Sequence, residues 1–201
     1  MKRTITKKEL SDLFSENPKV KYPRAKALAR IAMKNPKRLS PHLEFFITLL
    51  DSENNILKWN TIDIIGHLAK CAKDKHIDRL LGMLYGFLTC GKLITVNHAI
   101  GALANIAQSK PALQKEIIRE LLKVEHNSFD TEECRNIALG KVVLALGVLS
   151  SDLKPEDEVL SFTERQTSNS RTATKRKAES VLRGMKNRHT NGHRKRLDQS
   201  K

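Results

Sequence analysis

Four octets in this chain repeat one another: Ala25–Ala32 (AKALARIA), Ile62–Ala69 (IDIIGHLA), Ile100–Ala107 (IGALANIA) and Val143–Ser150 (VLALGVLS). They begin 37, 38 and 43 residues apart. The first position is Ala, Ile or Val, the fourth Leu or Ile, the seventh Ile or Leu, and the eighth Ala or Ser. The fifth is always small: Ala29, Gly66, Ala104 and Gly147. Self-similarity at a near-constant period of this size marks a repeat architecture, in which no unit buries its apolar face alone. Positions one, four, five and eight share one face of a 3.6-residue helix, and the seventh widens that stripe. A small fifth residue lets a neighbouring helix backbone approach closely. Each octet therefore reads as the second helix of a helical pair.

The first helices lie between the octets. Residues 41–51 (PHLEFFITLLD) place Leu43, Phe46, Ile47 and Leu50 on one side. Residues 74–89 and 111–125 follow the same logic, the latter with Ser109 and Pro111 as cap and first turn. Asp130 or Thr131 starts the next inner helix. An all-α, right-handed α-solenoid of four to five helical pairs is expected. Composition agrees: hydrophobic residues make up 39% but aromatics only 4%, which suits aliphatic helix packing better than a β-sandwich. No apolar run is long enough to span a bilayer, and MKRTITKKELSDLF lacks the apolar core of a signal peptide. Cys71, Cys90 and Cys134 are odd in number and lack metal-ligand spacing, so buried thiols in a reducing cytoplasm are expected.

The stretch LLDSENNILKWNTIDIIGHLA resembles a HEAT repeat: an outer helix ending in Asp51, a short turn, a basic residue at Lys58, then the small-residue octet. The resemblance covers roughly residues 20–150. It implies a HEAT or armadillo-like solenoid whose second helices line the concave side, a scaffold that serves generically as a binding surface. Val96 and Leu139 stand where Lys58 has its counterparts, so the Asp/Lys ladder implied by the family is expected to be partial. Within the same stretch, KWNTID resembles a W-x-x-x-D element of alkylpurine DNA glycosylases, which are also built from HEAT-like repeats. That resemblance implies a catalytic role for Asp63, stabilising positive charge on a deoxyribose, and a lesion contact for Trp59.

The formal charge of +15 is concentrated at the two ends. Residues 1–38 hold 12 Lys/Arg against 3 acids, and residues 164–201 repeat those counts, while the segment between has 13 basic and 16 acidic residues. The solenoid is assigned to residues 1–161. Residues 162–201 read as a basic linker, a short capping helix at about 174–187 and a mobile tail. On the first octet helix Lys26, Arg30, Lys34 and Lys37 form a basic stripe opposite Leu28 and Ile31. The repeat carries the Arg30 position onto His67 and then Asn105, giving a polar ridge on the inner surface. The clusters Lys175-Arg176-Lys177 and Arg194-Lys195-Arg196 add attraction for polyanions. His189 and His193 are spaced i, i+4 but lack further ligands, so no zinc site is expected there. No cofactor or metal is expected, and no membrane contact. A non-enzymatic scaffold or adaptor follows, monomeric, with a protein partner first and nucleic acid at the basic ends second. The alternative is a DNA-binding or repair protein of the glycosylase type.

Overall fold

Most inner helices open on a side chain that closes the first turn, which is why they start where they do. In the computed structural model, which describes residues 5–72, 74–150 and 156–198, Asn17, Asn54 and Thr131 each accept a hydrogen bond from a backbone N–H of the turn they precede. The chain forms α1 (Lys7–Ser11), α2 (Pro18–Lys34), α3 (Leu43–Thr48), α4 (Asn55–Leu68), α5 (Asp74–Leu88), α6 (Leu93–Ser109), α7 (Gln114–Leu122), α8 (Glu132–Leu149), α9 (Asp157–Gln166) and α10 (Thr172–Asp198). Short 3-10 turns extend several of the outer helices. No strand occurs among the described residues.

The fold is an all-α solenoid of five layers. Helices α2, α4, α6, α8 and α10 make one continuous row, each packed on the next. The second row, α1 with its 3-10 turn, then α3, α5, α7 and α9, packs chiefly against this first row and only marginally against itself. The row of continuous contact holds the four octets, the helices expected on the inner side. The octet register is borne out: all first, fourth and eighth positions are at most 4% exposed, from Ala25, Leu28 and Ala32 through to Val143, Leu146 and Ser150.

Small residues sit where the helices come closest. A β-carbon on Gly66 would lie 2.6 Å from the Cα of Ala102, and one on Gly147 would lie 2.9 Å from both γ-carbons of Val181. Gly140, outside the octets, meets the Thr174 hydroxyl in the same way, at 2.7 Å.

The structure differs from expectation in four places. The outer helix expected over residues 41–51 is broken into a 3-10 turn (Ser40–His42), α3, and a second turn (Leu49–Asp51), with Pro41 in the first turn. Ser109 does not cap the following helix; it closes α6, its hydroxyl donating to the Ile106 carbonyl, and Lys110 stands at the next cap position with its ammonium donating to the Ala72 carbonyl at 3.2 Å. Asp51 and Lys58 form no ion pair among the described residues; Lys58 Nζ instead lies 6.0 Å from the centroid of the Phe87 ring. The expected buried thiols are half-buried at Cys71 and Cys134, and Cys90 is exposed.

The division expected at residue 161 meets a continuous helix. It falls inside α9, whose Val159 and Phe162 are fully buried, because the apolar face of this helix continues past the proposed boundary. The polar segment from 172 onward is α10, a full inner helix that is longer than the expected cap and continues through Asp198, across much of the expected tail. Residues 199–201 lie outside the described residues. Polar side chains join the buried Val159, Phe162, Ala178 and Met185 in fixing this last layer. Thr174 Oγ1 donates to the Asn136 carbonyl at 2.7 Å, the Asn136 amide donates to Ser170 Oγ, and the Asn169 amide donates to both Asn136 Oδ1 and Gln166 Oε1. A polar sequence can thus form a helix here because its buried donors and acceptors are paired.

Candidate binding face

The inner row sets equivalent residues side by side. The octet's second position gives Lys26, Asp63, Gly101 and Leu144 in order along the solenoid, and its sixth gives Arg30, His67, Asn105 and Val148. The polar ridge is present at its centre: the Asn105 amide nitrogen is 3.5 Å from His67 Nδ1. Burial lowers the His67 pKa from its usual value, partly offset by the carboxylate of Asp63.

At the N-terminal end Lys26, Arg30 and Lys34 are exposed on α2, and none has an ion-pair partner among the described residues. Lys37 is exposed too but leaves the stripe, because α2 ends at Lys34 and Lys37 lies in the separate 3-10 turn Pro36–Arg38. Asn35, the residue before Pro36, is non-helical (φ −153°, ψ 74°), as the residue before a proline prefers, and ends the helix there. The helical stripe is therefore three cations long. Other cations of this region are engaged: Arg24 pairs with Asp12 at 2.9 Å and Glu9 at 3.4 Å, clamping α1 and its turn over α2.

Trp59 and Asp63 lie one turn apart on α4, and both are directed at α6. The indole N–H donates to Thr95 Oγ1 at 2.9 Å, and its ring plane is within 4° of the His98 imidazole, centroids 6.0 Å apart. Asp63 Oδ1 is 2.8 Å from His98 Nδ1, with the two side chains 40% and 30% exposed. Carboxylate and indole thus brace one histidine across an inter-repeat seam. His98 went unseen in the sequence reading because it precedes the octet and makes contact only when α4 and α6 are side by side.

The far end of the face is apolar. Leu144 and Val148 are 41% and 46% exposed, at the positions held by Asp63 and His67 two layers earlier. A second apolar line crosses the starts of the inner helices: Ile56 and Ile94, 39% and 48% exposed, with the half-buried Ile137 in register. These residues were also missed, although VLALGVLS placed beside AKALARIA shows Leu and Val where the first copy has Lys and Arg.

Lys175, Arg176 and Lys177 sit in the first turns of α10, the first two exposed and Lys177 half-buried against the Gly140 region. Arg194, Lys195 and Arg196 fall on the last turns of the same helix, as do His189 and His193 before them, and their side chains lie outside the described residues. Among the described residues no group of His, Cys, Asp and Glu is placed to hold a metal ion, and no helix is long and apolar enough to cross a membrane.

No protein-family model matches the sequence, and no curated protein matches it. Solved structures do. A designed armadillo repeat protein in complex with the peptide (KR)4 is similar over 88% of this chain and 80% of its own, at 19% identity and a TM-score of 0.55. Computationally designed armadillo repeat proteins for modular peptide recognition have the same coverage at 20% identity, with a TM-score of 0.49. The first of these likenesses, together with the five stacked layers, defines the class: an armadillo- or HEAT-like helical repeat.

Proposed function

We propose that this chain is a non-enzymatic binding scaffold whose inner face takes a segment of a protein partner. One observation carries the reading. Of the seven large hydrophobic side chains left exposed among the described residues, four (Ile56, Ile94, Leu144 and Val148) lie on register lines of the inner row. Apolar side chains gathered on one face, with polar and charged neighbours, mark an interaction surface more than a solvated one. The designed neighbour carries a peptide of alternating lysine and arginine, which supports peptide recognition as a use of this fold. A cationic ligand does not suit the α2 end here, where Lys26, Arg30 and Lys34 are already cationic. Nucleic acid is the second partner class, because both ends of the chain are basic.

The test is selection from a random displayed-peptide library on the immobilised protein, followed by affinity measurement on designed variants. Leu144→Asp and Ile94→Asp should each weaken the selected peptides by at least about tenfold, as loss of a binding anchor does. Arg79→Glu on α5 and Arg119→Glu on α7, both exposed on the outer row, should leave them unchanged. Peptides that respond to the outer variants and ignore the inner ones would overturn the reading.

A further inference from the structure

The inner face is not uniform along its length, and its gradient describes a ligand. On α2 the exposed residues include Lys26, Arg30 and Lys34, spaced four residues apart and so aligned along one helix face, with the exposed Val20 and Met33 on the same helix. Three layers further on, α8 presents Leu144 and Val148 at the same two register positions, with the exposed cation Lys141 one turn before Leu144. Between them the charges are largely spent: Asp63 is held by His98, His67 is turned toward Asn105, and Gly101 presents no side chain. A ligand matched to this face needs negative charge over α2 and apolar side chains over α8, with little demanded in the middle.

Resting on the scaffold reading above, we propose that the partner segment is an extended peptide bipartite in character: acidic residues at one end, seated on Lys26, Arg30 and Lys34, and a pair of apolar residues at the other, seated on Leu144 and Val148. The spacing follows from the fold. Packed helices lie 8–10 Å apart, so three steps from α2 to α8 span roughly 24–30 Å. An extended chain rises about 3.3 Å per residue, so the two ends of the ligand stand roughly seven to nine residues apart. Charge complementarity selects an acidic peptide over a basic one. The exposed leucine and valine select a peptide over a nucleic acid, whose backbone would be charged over their full length. Two weak subsites joined by a chain of matched length reinforce each other, because the second contact forms at the effective concentration set by the first.

The probes are five fluorescein-labelled synthetic peptides measured by anisotropy on the intact chain. One joins a Glu-Asp-Glu end to a Leu-x-x-Leu end through a Gly/Ser spacer of the matched length, made in both chain directions. The others are the same peptide with the spacer cut to two residues, the acidic half alone and the apolar half alone. In one direction the matched peptide should bind at least about tenfold more tightly than the short-spacer peptide or either half. The double variant Arg30→Glu, Lys34→Glu should reduce it to the affinity of the apolar half, and Leu144→Asp to that of the acidic half. Thermal melting confirms that each variant is folded, and Leu144→Ser replaces Leu144→Asp should the latter unfold. Equal binding of the short-spacer peptide, indifference to Leu144→Asp, or tighter binding of a short random-sequence DNA duplex would each overturn the proposal. If library-selected peptides still depend on Leu144 and Ile94 while the matched probe shows no length dependence, this inference fails and the scaffold reading stands.

Discussion

Gly66 and Ala102 are in backbone contact: a β-carbon on Gly66 would stand 2.6 Å from the Ala102 Cα, closer than any van der Waals separation allows. Helices α4 and α6 meet there, so the atom that would have to yield is main chain and not the tip of a flexible side chain. Gly66→Ala should therefore cost about 1–3 kcal/mol despite the better helix propensity of alanine. Gly82 and Gly86, both within α5, have nothing within 4 Å of the β-carbon position. Their alanine variants should gain about 0.4–1 kcal/mol each. Denaturant unfolding of the three proteins checks the contrast, and equal effects at all three sites would break the register.

The last layer separates two truncations. Thr174, Ala178 and Met185 are buried, Val181 packs on Gly147, and no side chain described beyond Met185 is buried. Removing residues 187–201 should leave a single cooperative melt within a few degrees of the intact chain, since such ends tolerate loss. Removing residues 167–201 uncovers the α8 face and leaves Asn136 without its Ser170 and Asn169 partners. That protein should melt far lower or without cooperativity, as a repeat array does when its terminal unit is lost.

His67 gives a pH signature. Its pKa in the folded protein is lowered, first by burial, from an ordinary value of 6.5. A depressed value means that the folded state resists a proton the unfolded chain accepts, so the associated stability is present above pH 6.5 and is lost as pH falls below it. The difference in melting temperature between wild type and His67→Asn should become less favourable to wild type between pH 7.5 and pH 5.5, a window of about one unit either side of the histidine range. The comparison cancels His76 and His98, which both proteins retain. A difference independent of pH would show that His67 has no such role.

Asp63 is the residue on which a repair enzyme and a scaffold part company. A glycosylase needs that carboxylate free to face developing positive charge, and Asp63→Asn would then abolish release of alkylated bases while sparing DNA affinity. In this structure the carboxylate is committed to His98 and the Trp59 ring lies against the same histidine. We expect no base release from wild type, Asp63→Asn or Trp59→Ala, measured on alkylated duplex DNA. Asp63→Asn should alter stability by no more than about 1 kcal/mol, in keeping with a half-exposed pair.

What the sequence discloses is periodic, and what it hides is relational. The octets determine which residues are buried, and the structure keeps Ile62, Ile65, Ile100 and Leu103 fully buried as their spacing requires. The Arg30–His67–Asn105 alignment was also legible, because it is the same repeat displaced by one residue from the buried set. The last layer was not. Its helices bury Thr163, Gln166 and Thr174 through hydrogen bonds to Val159, Glu125 and Asn136, partners that no apolar pattern announces. His98 escaped for a related reason: a seam between helices 35 residues apart, not a local motif, gives it Asp63 as a partner. Pro41 in the second outer segment was visible, yet an apolar spacing of helical type concealed the 3-10 turn Ser40–His42 in which it lies.

The two rows of helices are joined to their neighbours by different means. Inner helices touch through glycine, alanine and close-packed aliphatic side chains as well as polar pairs such as Asp63 with His98, whereas consecutive outer helices are bridged by exposed polar pairs such as Tyr85 with Glu116 and Arg165 with Glu125. Dry packing strongly resists displacement, while a solvated pair is worth about 0–1 kcal/mol and weakens with salt. Parting a solvated bridge such as Arg165 with Glu125 costs less than parting the backbone contact of Gly66 with Ala102, so under strain the outer row should yield before the inner one.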